Sequence, residues 1–353
     1  MNDNRCDKAS PRLFWIDSSR GLAIALVVLG HVISNSISAK ALTGGTWQIV
    51  YDFIYAFHMP LFFYVSGYLQ KFNSQSDWRH ESRRWGEKFL GLAIPYVVFS
   101  VLYVMAKVVF SHTDAVMNPV SASSLLGMAI RPISEYWFLY ALLVLECFYN
   151  GSLALLSACG QNRFRVPLLV ALFCAGVLCY CFDPLQGTAL SGLRNALKFM
   201  PFFFAGTLAH GWFDLPFRAM LSTCVATALS ACLYAFKFTR TEFVPIAALF
   251  LAFSMIALIV GGSHFLGRSG VLGMLGKNTM PIYLIHPFVL VPGRLLLHKF
   301  GIRNECLYVL ALTCSSIVFP LILQICLLKR VKFLDFFVYP RHYLHGKESR
   351  SVS

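Results

Sequence analysis

A chain of 353 residues with mean hydropathy +0.64, 57% hydrophobic and 13% charged residues lacks the polar side chains to cover a water-exposed surface, since soluble domains carry about 25% charge. That excludes a soluble globular protein and gives the fold class: an all-α polytopic membrane protein of one domain, 1–353. The net charge of +14 (30 Lys and Arg against 16 Asp and Glu) falls in short loops beside apolar runs; with no nucleic-acid-binding motif it reads as a topology signal, not as a partner for RNA or DNA.

A membrane-spanning helix needs about 20 mostly apolar residues. On that rule ten spans are expected, near 21–38, 50–70, 89–110, 134–156, 167–182, 199–214, 219–236, 243–261, 279–298 and 307–328, with Pro95, Pro167, Pro184 and Pro245 punctuating their ends. Spans and short loops occupy about 14–330, leaving tails at 1–13 and 331–353. Ser38-Ala-Lys-Ala41 loosely resembles a cleavage site, but His31 interrupts the first apolar run and a polar segment precedes it, so the run is expected to be retained as the first span. With the N-terminus inside, inner segments hold 20 of the cations and outer segments 9, which places both termini in the cytoplasm.

Along the chain, several ionisable residues fall inside these spans, where each is costly and a candidate for function. Arg20 opens the first run and His31 lies eleven residues on, roughly 16 Å above the inner face. His58 in the second span falls about 12 Å below the outer face, and His286 in the ninth about 10 Å above the inner one. Each imidazole can equally be a neutral group satisfied across a helix interface. Lys71, Arg79, Arg83, Arg84 and Lys88 make the segment 71–88 unusually basic, and guanidinium groups suit a phosphorylated ligand because they bind phosphate bidentately. Glu135 lies at the outer mouth of the fourth span and Glu146 near its middle; Lys107 and Asp52 can snorkel to an interface. Eleven scattered cysteines with no C-x-x-C or Cys/His spacing point to no disulfide framework, and no metal site is expected.

Five elements in order carry a family resemblance. Arg20-x10-His31 matches an Arg/Lys-x10-His element. Phe57-His-Met-Pro-Leu-Phe-Phe-Tyr-Val-Ser-Gly67 looks like F-x-x-P-x-F-F-x-x-S-G. Arg83-Arg84 is followed by Ile94-Pro95-Tyr96, Tyr136-Trp-Phe-Leu-Tyr-Ala-Leu142 resembles W-F-L-x-A-L, and Gly276-Lys-Asn278 with Ile282-Tyr-Leu-Ile-His286 matches G-x-N/S-x-x-x-I-Y-L-x-H. Together they resemble the acyltransferase-3 family of integral membrane O-acyltransferases, and within it the surface-polysaccharide, fucose-acetylase-like branch.

The resemblance implies transfer of an acyl group, usually acetyl, from acetyl-CoA or another acyl-CoA to a sugar hydroxyl of a glycan acceptor, either a polysaccharide or a lipid-linked sugar. It implies a multi-pass protein of a plasma membrane, the inner membrane of a bacterium, in contact with membrane lipid and with no permanently bound cofactor. His31 would be the general base, with a covalent acyl-imidazole as a variant. Arg20, Arg83 and Arg84 would hold the CoA phosphates. His58, Glu135, Trp137 and His286 would meet the substrate, although Tyr136 and Trp137 fit an interfacial aromatic belt equally well. A secondary transporter or flippase for a glycan or acyl carrier is the alternative; it should show an internal repeat or paired broken helices, and the sequence offers neither. A non-catalytic subunit of a polysaccharide assembly would not need the Arg20–His31 spacing.

Overall fold

The computed structural model describes residues 14–43, 45–70, 78–110, 121–133, 135–210, parts of 218–232, 244–265 and 270–344. Among the described residues there are helices and turns but no strand. The helices are α1 (Phe14–Ser38), α2 (Gly45–Tyr68), α3 (Trp78–Val109), α4 (Trp137–Ala158), α5 (Arg165–Phe182), α6 (Ser191–Leu208), α7 (Val244–Phe265), α8 (Gly270–Lys277), α9 (Thr279–Lys299), α10 (Glu305–Leu323), α11 (Lys332–Val338) and α12 (Arg341–Leu344), with a π-helical turn at Gln324–Leu328 extending α10. Eight of these, α1 to α5, α7, α9 and α10, are long and apolar enough to cross a membrane. α6 carries Arg194 and Lys198 in its first half. Most of the expected seventh span, and both tails up to 13 and beyond 344, lie outside the described residues.

Several boundaries differ from expectation: α6 runs Ser191–Leu208 where 199–214 was expected, and two further differences have a clear cause. α1 begins at Phe14 and not at Arg20, because Trp15 and Ile16 are themselves buried and extend the packed face. α3 begins at Trp78 and carries Pro95 in its interior, where a helix end was expected. A proline removes one backbone bond and frees the carbonyl four residues earlier; membrane helices tolerate this where neighbouring groups crowd the gap. Here the freed carbonyl belongs to Gly91, and the side chain of Arg341 packs directly on that glycine.

α1 is the axis of the bundle and touches α2, α7, α8, α9 and α10. Ala23, Ile24, Val27, Val28, Val32 and Ile33 are buried almost completely. Five of these six are β-branched and three are valine, poor helix formers in water, but a backbone in lipid has no other way to satisfy its polar groups. At the other extreme α5 exposes Val166, Val170, Leu178 and Phe182, an apolar face suited to lipid.

Close approach fixes two pairs of helices. A Cβ at Gly67 of α2 would overlap the carbonyl oxygen of Phe203 in α6, and one at Gly206 of α6 would overlap that of Tyr64 in α2. The same reciprocal arrangement joins Gly21 of α1 to Leu272 of α8 and Gly276 of α8 to Asp17 of α1. Small residues let helix backbones meet where lipid supplies no hydrophobic push. After α10 the chain folds back, and α11 and α12 lie against α3. The start of α1 and this C-terminal segment therefore share one end of the bundle.

Candidate active site

At that shared end lies a cavity of 330 Å³, walled by Arg20 of α1, Phe62 and Gln70 of the second helix and the residues after it, Lys88 of α3, Glu146 of α4, Tyr283 of α9 and Arg341. Its polar side is a network around one carboxylate. Glu146 is 3.7 Å from Lys88 Nζ and 3.6 Å from Arg341 Nη2. Gln70 Nε2 donates to Glu146 at 3.3 Å, and Lys88 donates to the Gln70 side-chain oxygen. Arg20 stands close to Tyr339: burial and the Asp335 carboxylate push the Tyr339 phenol up to about 12, and the Arg20 charge works against them. Three fixed cations facing one carboxylate leave the cavity net positive, which favours an anionic ligand.

Glu146 holds Arg341, and with it the C-terminal segment, to the bundle. Arg341 is 40% exposed, so the pair is screened and worth at most about 1 kcal/mol. Glu146→Gln is therefore expected to speed amide exchange across 332–344 by about two- to fivefold, with exchange in α1 unchanged. Equal acceleration in both segments would instead mean that Glu146 supports the whole bundle.

Beyond the tyrosine wall of this cavity sits a group of histidines. Tyr283 has its ring 6.1 Å from that of His286, one turn further along α9. The rings of His286 and His31 are 5.2 Å apart. His286 Nδ1 donates to the carbonyls of Ile282 and Tyr283 at 3.1 and 2.9 Å, and His58 Nδ1 donates to that of Ile54 at 2.7 Å. A carbonyl can only accept, so Nδ1 carries the proton in both and Nε2 is left as the acceptor. In His286 that Nε2 is buried with no hydrogen-bond partner. His58 packs edge-on against Tyr55 at 4.6 Å and lies near enough to His31 for their charges to interact.

Glu135 approaches the same group. Its carboxylate lies within electrostatic reach of His31 and beside the Tyr103 hydroxyl, and it is 3.7 Å from Lys107 Nζ. Its backbone carbonyl accepts from the Tyr283 hydroxyl at 2.8 Å, tying the start of α4 to α9. An imidazole with a carboxylate nearby can take up a proton and have the resulting charge stabilised.

The structure thus gathers His31, His58, Glu135 and His286 into one region and puts Arg20 in the cavity beside it. Trp137 is half-buried in an aromatic cluster, 5.2 Å from Phe199 and 6.5 Å from Phe63. Arg83 is 63% exposed, pairs with Glu87 on its own helix and does not line the cavity. The side chain of Arg84 lies outside the described residues. Sequence reasoning passed over Arg341, which sits in the tail after the last span, and did not connect Lys88 with Glu146; only folding brings these three together.

A family model described as an acyltransferase domain matches residues 13–325. The chain is 35% identical over 138 residues to nodulation protein NolL of Sinorhizobium fredii, covering 38% of this chain and 35% of that protein. To nodulation protein NolL of Mesorhizobium japonicum it is 30% identical over 167 residues, 44% of this chain and 42% of that one. The matched region thus spans less than half the length of these curated relatives. No solved structure matches the chain significantly.

Proposed function

Because the chain belongs to the acyltransferase-3 family of membrane enzymes, we propose that it moves an acyl group, acetyl in the simplest case, from acyl-CoA to a hydroxyl of a cell-surface glycan or its lipid-linked precursor. The observation that carries this reading is the adjacency of a cation-lined cavity and the His31–His286 pair along the same two helices, α1 and α9. Arg20, Lys88 and Arg341 hold the donor's phosphates, and the thioester reaches past Tyr283 toward the histidines. His31 takes the proton of the attacking hydroxyl; the sugar oxygen bonds to the thioester carbonyl, the C–S bond breaks, and CoA leaves as the thiol with a proton returned to it. Glu135 stabilises the imidazolium formed on the way, and the Nε2 acceptors of His286 and His58 orient the hydroxyl.

The cation bias of the inner segments supports a plasma-membrane protein with Arg20 on the cytoplasmic side, where acyl-CoA is made. The test is transfer of labelled acetyl from acetyl-CoA to glycan by the purified protein, together with NMR of surface polysaccharide from a deletion strain. Loss of O-acetyl signals in that strain supports the reading; an unchanged acyl pattern and no labelled product would point to a transporter.

Arg20→Ala and Arg341→Ala each remove a charged hydrogen-bond donor, an interaction worth about 1.5–3 kcal/mol. Each is expected to raise KM for acyl-CoA by about tenfold or more and to leave KM for the glycan within twofold. Initial-rate kinetics with each substrate varied separately would show this, and an unchanged acyl-CoA KM would return Arg20 to a topological role.

A further inference from the structure

At the opposite ends of α1 and α9 lies a second cavity, of 560 Å³, lined by Lys40, Arg294, His298, Arg303, Glu305 and Tyr308 among others. Its charge balance is unusual for a site at a bilayer face. Three fixed cations and a histidine face one carboxylate, and that carboxylate is already engaged: Glu305 accepts from Thr43 N, Thr43 Oγ1 and Trp47 Nε1, each at 2.7 Å, and so pins the loop between α1 and α2. Arg294 is only 8% exposed, although it lies within a membrane-crossing helix, where a buried guanidinium is expensive and rarely idle. The Tyr308 hydroxyl, buried in the cavity wall, makes no well-formed hydrogen bond of its own.

Two further observations connect this cavity to the chemistry. Lys40 holds a left-handed backbone, φ 55°, just after the last turn of α1, a conformation that costs a residue with a Cβ about 1–2 kcal/mol and that glycine adopts freely. Arg294 Nη1 donates to Asn35 Oδ1 at 3.2 Å, and Asn35 lies one helical turn beyond His31 on the same face of α1. The cavity mouth at Ala39 is eight residues from His31, about 12 Å along the helix.

We infer that this cavity binds the phosphoryl group of a lipid-linked sugar, holding it between Lys40, Arg294 and Arg303 so that the sugar extends along α1 toward His31. The inference rests on the acyl-acceptor reading above and deepens it: the two substrates enter from opposite faces, each recognised by its phosphates at one end of α1, and meet at the histidines. Guanidinium forks suit phosphate oxygens, and a volume of 560 Å³ accommodates a phosphoryl group together with more of the ligand.

The test is binding of farnesyl diphosphate to the full-length protein in nanodiscs of neutral phosphatidylcholine, with inorganic diphosphate and phosphatidylglycerol as the comparison arms. Lys40→Gly removes the ammonium and relieves the backbone, so it preserves folding, and Arg303→Gln lies on an exposed loop. Each is expected to weaken farnesyl diphosphate about tenfold and to leave acyl-CoA binding unchanged. Binding that neither variant alters, or no binding at all, overturns the inference. Phosphatidylglycerol binding as tightly as farnesyl diphosphate also overturns it, by making this a structural-lipid site. Inorganic diphosphate competing for the same site, with lower affinity, supports it. The two readings fail separately: diphosphate binding that is lost in the variants, in a protein that transfers no acetyl, would sink the enzyme and leave the phosphoryl site standing.

Discussion

His31→Ala is expected to abolish acyl transfer. A positioned general base contributes about 10²–10⁴ in rate, and the neighbouring histidines replace it poorly, because the Glu135 carboxylate that would stabilise the imidazolium acts on His31 and not on His58 or His286. The expected result is a fall of that size in kcat for labelled acetyl transfer, with KM for acyl-CoA within about twofold. The loss is kinetic and not structural: His31 is half-buried and packs beside His286 at the margin of the apolar core. His31→Gln keeps most of the volume and is expected to fail equally, whereas a packing role would let it recover. Retained activity in either variant removes His31 from the reaction.

Gly67→Val destroys the folded protein without touching the chemistry. Any Cβ at this position overlaps the Phe203 carbonyl, and the neighbouring contact at Gly206 is equally tight, so α2 and α6 can make room only by moving apart. Overpacking costs about 1–3 kcal/mol even where side chains can yield, and here the obstacle is backbone. Little monodisperse protein is expected on size-exclusion chromatography in detergent, and Gly67→Ala should already lower the thermal midpoint measurably. Gly151→Ala in α4 is the control, because a methyl group there meets open space; its midpoint should not fall. A Gly67→Val protein as stable as the parent would show that α2 and α6 do not meet as described.

The glycine of the S-G element is thus readable as a motif in the sequence, but its physical role emerges only from the facing helix. The same division runs through the rest of the molecule. Composition and runs of about 20 apolar residues determine an all-helical membrane protein by themselves, because a backbone in lipid must satisfy its own hydrogen bonds. Helix geometry likewise fixes the Arg20–His31 separation from sequence alone, since the rise per residue is constant. What sequence leaves open is which face of each span meets protein and which meets lipid: both are apolar, and the hydrophobic pattern that orients a helix in water is weak here. Tertiary structure alone decides that Glu146 meets Lys88 and Arg341 from the far end of the chain, that Glu135 reaches the histidines, and that Arg294 turns inward to Asn35, 259 residues away. Each of these is a buried or half-buried charge, and a charge withdrawn from water is held wherever a distant partner can offset its desolvation, a choice made by packing and not by spacing along the chain.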